Sequence, residues 1–93
     1  MKIDFFIENT GRYFTFVSHS GRKYLFGIEE IISDTQVKFI KGREMGDIKK
    51  IEDLIIKSSD DSINIELKKQ IAAIKSNPNS YEIIDVSEFK GIV

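Results

Sequence analysis

The stretch that most constrains this chain is residues 11–28, GRYFTFVSHSGRKYLFGI. Two alternating apolar runs, Tyr13 to Ser18 and Lys23 to Ile28, flank a short polar segment that ends in Gly21-Arg22. A three-residue loop of His19, Ser20 and Gly21, a type I turn closed by a glycine in the left-handed region, joins them as a β-hairpin with Ser18 opposite Arg22. Side chains on a strand alternate between faces, so this register gathers Phe14, Phe16, Tyr24, Phe26 and Ile28 on one side. Tyr13, Thr15, Val17, Lys23 and Leu25 go to the other. The hairpin thus demands a sheet with one strongly aromatic face that something must cover.

The preceding run, Ile3 to Ile7, reads as a further strand, so that the chain opens as a three-stranded meander. Asn9-Thr10-Gly11 fits the same three-residue loop, yet that loop would place Ile3, Phe5 and Ile7 opposite the Phe14 face. An even-length loop gathers them onto that face and leaves Asp4, Phe6 and Glu8 outward. Burial of each such side chain is worth roughly 1.5 to 3 kcal/mol, against about 1 kcal/mol for local conformational preference, so the even loop is expected. Ser33-Asp34-Thr35-Gln36 then forms a turn, Val37 to Ile40 a fourth strand, and Lys41 to Gly46 a loop.

Asp47 stands where a helix N-cap belongs, and Ile48, Ile51, Leu54 and Ile55 recur behind it at helical spacing, which predicts a helix over about 48–57. Asp60, Asp61 or Ser62 caps a second helix, whose Ile63, Leu67, Ile71 and Ile74 form one apolar stripe. Ser76-Asn77-Pro78 stops it, and the β-branched run Tyr81 to Val86 returns to the sheet as a last strand. The order ββββααβ predicts one α+β domain over residues 1–93, an antiparallel sheet with both helices packed on its aromatic face.

Composition enters as a set of exclusions. The chain has no cysteine and one histidine, which removes disulfides, thiolate zinc sites and cysteine nucleophiles and leaves no cluster for a redox metal. Ser18-His19-Ser20 is not a nucleophile-and-base pair, because neighbours on a tight turn point apart and no Gly-x-Ser-x-Gly elbow accompanies them. Asp60, Ser62, Asn64 and Glu66 alternate as in a calcium loop, but Ile65 takes the place of the obligatory glycine and Ile71 that of the bidentate glutamate. Gly42 and Gly46 lack the Gly-Lys-Ser/Thr of a phosphate loop, and Asp47 would oppose a phosphate. A non-enzymatic protein without catalytic residue, metal or cofactor is expected. The N-terminus MKIDFFIENT is broken by Asp4 and Glu8, and no run approaches the ~18 apolar residues of a membrane span, so a cytoplasmic protein with no membrane partner is expected.

Two functional readings remain. Aromatic and basic residues interleave in residues 11–28 as on a single-strand nucleic-acid platform, but the register sends most of those rings to the core. A separate basic cluster, Lys38, Lys41, Arg43, Lys49 and Lys50, offers a nucleic-acid surface. The chain is nevertheless slightly acidic, with a net charge of −1 and a pI near 5.8, far from the balance of a typical nucleic-acid module. The leading reading is a protein-binding module whose outward face, Phe6, Tyr13, Val17, Lys23 and Leu25, recognises a protein partner or a second copy in a homodimer. The Ile- and Lys-rich composition, with one Pro and no Trp, resembles that of an AT-rich bacterial or phage genome. It suggests an inhibitor of a host defence protein, carried by a phage or mobile element.

Overall fold

The computed structural model describes residues 1–93 and is α+β, a five-stranded antiparallel sheet with two long helices. In chain order the elements are α1 (Ile3–Glu8), β1 (Tyr13–Ser18), β2 (Lys23–Ile31), β3 (Gln36–Lys41), α2 (Gly42–Lys57), α3 (Asp61–Ser76), β4 (Tyr81–Asp85) and β5 (Phe89–Ile92). Single 3-10 turns at Pro78–Ser80 and Val86–Glu88 precede β4 and β5. The strands lie in the order β4-β3-β2-β1-β5. The chain divides into two compact units, a sheet unit of Met1–Gly42 with Tyr81–Val93 and a helical unit of Arg43–Ser80.

The central hairpin follows the pattern of its side chains. Phe14 pairs with Phe26, Phe16 with Tyr24 and Val17 with Lys23. The turn is closed by Ser18 N–H donating to the Arg22 carbonyl at 2.9 Å and by Gly21 N–H donating back to Ser18 at 2.9 Å. Gly21 sits at φ 87°, the left-handed backbone that only glycine adopts without strain.

The segment expected as the first strand is instead the helix α1, and there is no first hairpin. The reason lies in the adjacent rings of Phe5 and Phe6. On a strand they would point to opposite faces, whereas on a helix they are about 100° apart and can both descend onto one surface. Phe5 meets Phe14 at 5.1 Å, while Phe6 stacks on Phe16 at 5.7 Å and meets Phe39 edge-on at 5.8 Å. Phe6, expected to face outward, is 0% exposed at the centre of the core. Six residues are too few for a helix to persist alone, so α1 depends on this packing and on its C-terminal caps. Asn9 Nδ2 donates to the Phe5 carbonyl at 2.7 Å and Thr10 Oγ1 to the Phe6 carbonyl at 3.1 Å. Gly11, at φ 88°, then turns the chain into β1.

The core comprises Phe6, Phe16, Phe26, Ile28, Val37, Phe39, Val86 and Phe89, every one from the sheet unit. Within this unit its cover is α1 from one end of the chain and the segment around Val86 and Phe89 from the other. The C-terminal segment also forces the sheet to curl. In a flat sheet the edge strands β4 and β5 would stand roughly 19 Å apart. Asp85 and Phe89 are only four residues apart in the chain, a reach of at most about 14 Å. The register breaks at Ile28/Glu30 in β2 and at Val17/Ser18 in β1 supply the bending. Phe89 accordingly touches both Phe16 of β1 at 4.9 Å and Phe39 of β3 at 5.6 Å.

The helical unit starts earlier than its apolar spacing indicates. Residues 42–46, expected as loop, are the first turns of α2, so Asp47 lies inside the helix and caps nothing. Gly42 allows this abrupt start. A Cβ there would stand 2.7 Å from the Leu25 carbonyl oxygen and 2.8 Å from the Leu25 Cγ, so only glycine lets the chain leave β3 at this point and pass straight into a helix. For α3, the Asp60 carboxylate accepts from Ser62 N–H at 2.9 Å and Ile63 N–H at 3.3 Å, a regular N-cap. The helix ends at Ser76, ahead of Asn77-Pro78.

Two measurements check this architecture. Phe6→Ala is expected to cost about 3 to 5 kcal/mol in denaturant unfolding, as for a buried ring, where an outward Phe6 on a strand would cost under about 1 kcal/mol. The two α2 glycines should respond with opposite signs. Gly42→Ala forces a clash with backbone and should destabilise by about 1 to 3 kcal/mol. Gly46→Ala meets nothing within 4 Å and should stabilise by about 0.5 to 1 kcal/mol.

Candidate functional site

The sheet presents a second face, opposite the core, and the hairpin register decides its composition. Thr15 pairs with Leu25, Val17 with Lys23 and Tyr13 with Gly27, so Tyr13, Val17, Lys23 and Leu25 share one surface on the adjacent strands β1 and β2. Tyr13 is 50% exposed and Leu25 47%, Val17 is half-buried and Lys23 is exposed. Four of the five residues expected to form an outward patch therefore stand together, and Phe6 does not. On the far strand of the same face Ile83 of β4, paired with Lys38, is 57% exposed.

The basic cluster divides. Lys38 pairs with Ile83 and lies on the second face, its Nζ 4.4 Å from the centre of the Tyr81 ring. Lys41 pairs with Phe26 and lies on the core side of β3. The two are thus on opposite faces of one strand. Arg43, Lys49 and Lys50 belong to α2 in the other unit, where Arg43 stands with Glu44 and Asp47 around a groove at the start of the helix. The phenol of Tyr81 is held above its ordinary pKa, first by burial and then by the negative charge of Glu29.

The polar residues of the hairpin turn serve structure. Ser18 Oγ lies 2.8 Å from Ser20 Oγ and accepts from Arg22 N–H at 3.1 Å. His19 Nε2–H donates to the Ser87 carbonyl at 2.9 Å, tying the turn to the 3-10 segment before β5. Asp60, one of the carboxylates with calcium-loop spacing, is occupied as the α3 cap.

Between β4 and β5, where the curled sheet fails to close, lies a groove of about 290 Å³. Its walls include Tyr24, Phe26 and Phe89 on one side and β4 on the other, with Glu82 and Glu88 among the lining residues. Tyr24 and Phe26 stack with ring centres 5.5 Å apart and planes 4° from parallel. Tyr24 and Phe26 were legible as core-facing, and Tyr81 to Val86 as a strand. That β4 would be an edge strand beside them was not, because no local signal encodes which strands lie at the margins.

Asp85 closes the end of β4. Its Oδ1 accepts from Ser87 N–H at 2.9 Å, and hydrogen bonds from the Ser87 backbone and hydroxyl hold its carboxyl below the usual aspartate pKa. Among family models, curated proteins and solved structures, none matches the chain.

The lowered Asp85 pKa has a definite sign. The carboxylate stabilises the fold at pH above the unfolded aspartate value of about 3.9, and that contribution disappears as pH falls through the lower folded value. Thermal midpoints measured from pH 6 downward should fall more steeply below about pH 4 in the wild type than in Asp85→Asn. Parallel curves for the two proteins would contradict the assignment.

Proposed function

We propose that the chain is a non-enzymatic protein-binding module, and that it recognises its partner with the second face of the β1–β2 hairpin. The supporting observation is the half-exposed pair Tyr13 and Leu25, side by side with Val17 and Lys23 on a rigid two-stranded surface. Interface energy concentrates in a few aromatic anchors surrounded by apolar and rim contacts, and Tyr13 is the anchor of this set. A site on paired strands is also positioned more firmly than one on a loop. With a composition of bacterial or phage type, the module is read as an inhibitor of a host protein. No helix of the chain is long and apolar enough to cross a membrane, and the partner is sought among proteins of the host cytoplasm.

Affinity capture with the full chain, followed by titration of the recovered protein, tests the reading. Tyr13→Ala should weaken binding by about 2 kcal/mol or more while the unfolding midpoint stays within about 0.5 kcal/mol of the wild type, as for other exposed positions. A Tyr13→Ala protein that binds its partner at full strength, or one that unfolds, would remove this face as the recognition surface.

A further inference from the structure

The outer edge of β4 carries backbone groups directed away from the sheet, and the parity of the pairing identifies them. Val86 N–H donates to the Thr35 carbonyl at 2.8 Å. The register runs without interruption from Gln36↔Asp85 to Ile40↔Tyr81, and bonded and non-bonded pairs alternate along an antiparallel ladder. Ile84 and Glu82 therefore bond to Val37 and Phe39, while Ile83 turns both its N–H and its C=O outward and Asp85 its N–H, the Asp85 carbonyl being taken up as the N-cap of the 3-10 turn Val86–Glu88. β4 has no strand on that side.

This edge forms one wall of the groove described above. Glu82 and Ile84 share the core side with their partners Phe39 and Val37, so their side chains enter the groove directly. The Ile83 and Asp85 side chains leave on the other face, and these residues line the groove from the strand's outer edge. The opposite wall offers the stacked rings of Tyr24 and Phe26, with Phe89 beside them.

We propose that the β4 edge takes up an added strand from a partner protein, an extended segment bearing a Lys or Arg whose side chain enters this groove. The hydrogen-bonding register comes from the outward groups of Ile83 and Asp85, in the manner of β-augmentation. Specificity comes from the groove. The methylene stem of a Lys or Arg packs on Tyr24, the half-buried ring that is stacked on the buried Phe26 and where a cation beside an aromatic ring is favoured, and its charged end meets Glu82 and Glu88. No cation is among the groove's lining residues to compete for those carboxylates. The same charges disfavour a second copy of this chain, because its β4 would carry Glu82 and Asp85 into an already acidic groove. The other edge of the sheet is less receptive. β5 has four residues, and its pairing with β1 is broken by the register shift at Val17/Ser18, a device that blunts sheet edges.

The test is a displayed library of random decapeptides selected against the full chain, with titration of the recovered peptides. Binders should alternate with a period of two and carry Lys or Arg at one fixed position. Ile83→Pro removes an outward N–H and no bond to β3, a substitution that edge strands tolerate. It should weaken the peptides at least about tenfold with an unchanged circular dichroism spectrum. The Glu82→Gln, Glu88→Gln double variant, which leaves the backbone intact, should weaken them by roughly tenfold and flatten the dependence on salt. Tyr13→Ala should leave peptide affinity unchanged, which separates this site from the hairpin face. Recovery of no binders, binders without a basic preference, or binders held equally by Ile83→Pro and by the double variant would overturn the proposal.

Discussion

The sheet unit depends on the cluster of rings around Phe16 and Phe39. These two side chains come from β1 and β3 and meet at 5.6 Å. Phe6 closes over them from α1 and Phe89 from the opposite end of the chain. Each ring buries a large apolar area, and edge-to-face contacts add roughly 0.5 to 1.5 kcal/mol per pair beyond burial. Both covering segments are short, six and four residues long, with little intrinsic stability of their own. Their order derives from the rings they insert, so loss of Phe6 or Phe89 would release an element as well as open a cavity.

Curling the sheet around this cluster has two consequences. It leaves the hairpin's second face as a firmly paired surface opposite the core, and it brings β4 and β5 near enough for a four-residue step in the chain to join them. They nevertheless remain unpaired, and the outcome is an open seam with an aromatic and acidic lining. The seam thus arises from the closure of Phe89 over Phe16, and the hairpin face from the register of β1 and β2. The hairpin face presents side chains and the seam presents backbone, so the two would select different features of a partner.

The hairpin from Tyr13 to Ile28 was legible in full because its information is local. Alternation sets the faces, Gly21 sets the turn, and the two together leave one register. The α3 cap at Asp60 and the stop at Asn77-Pro78 are local in the same sense, and the four residues Tyr13, Val17, Lys23 and Leu25 inherited their shared face from that register. The six residues of α1 carry two signals, because Ile3, Phe5 and Ile7 alternate as a strand would, while Phe5 and Phe6 together fit a helix lying on a sheet. A six-residue segment has no decisive propensity, and its partner surface selects the conformation.

Sequence by itself determined the α+β class, the central hairpin, the two long helices and the absence of cysteine chemistry, all properties of short windows or of composition. Tertiary structure decided what covers the aromatic face, where α2 begins, which strands lie at the edges and where the seam opens. The start of α2 turns on the contact between Gly42, its first residue, and Leu25 of β2. The seam turns on Asp85 and Phe89 reaching across a curled sheet. Such contacts join residues distant in the chain, and a side chain's preference carries no record of the neighbour that will meet it until the whole sheet has closed.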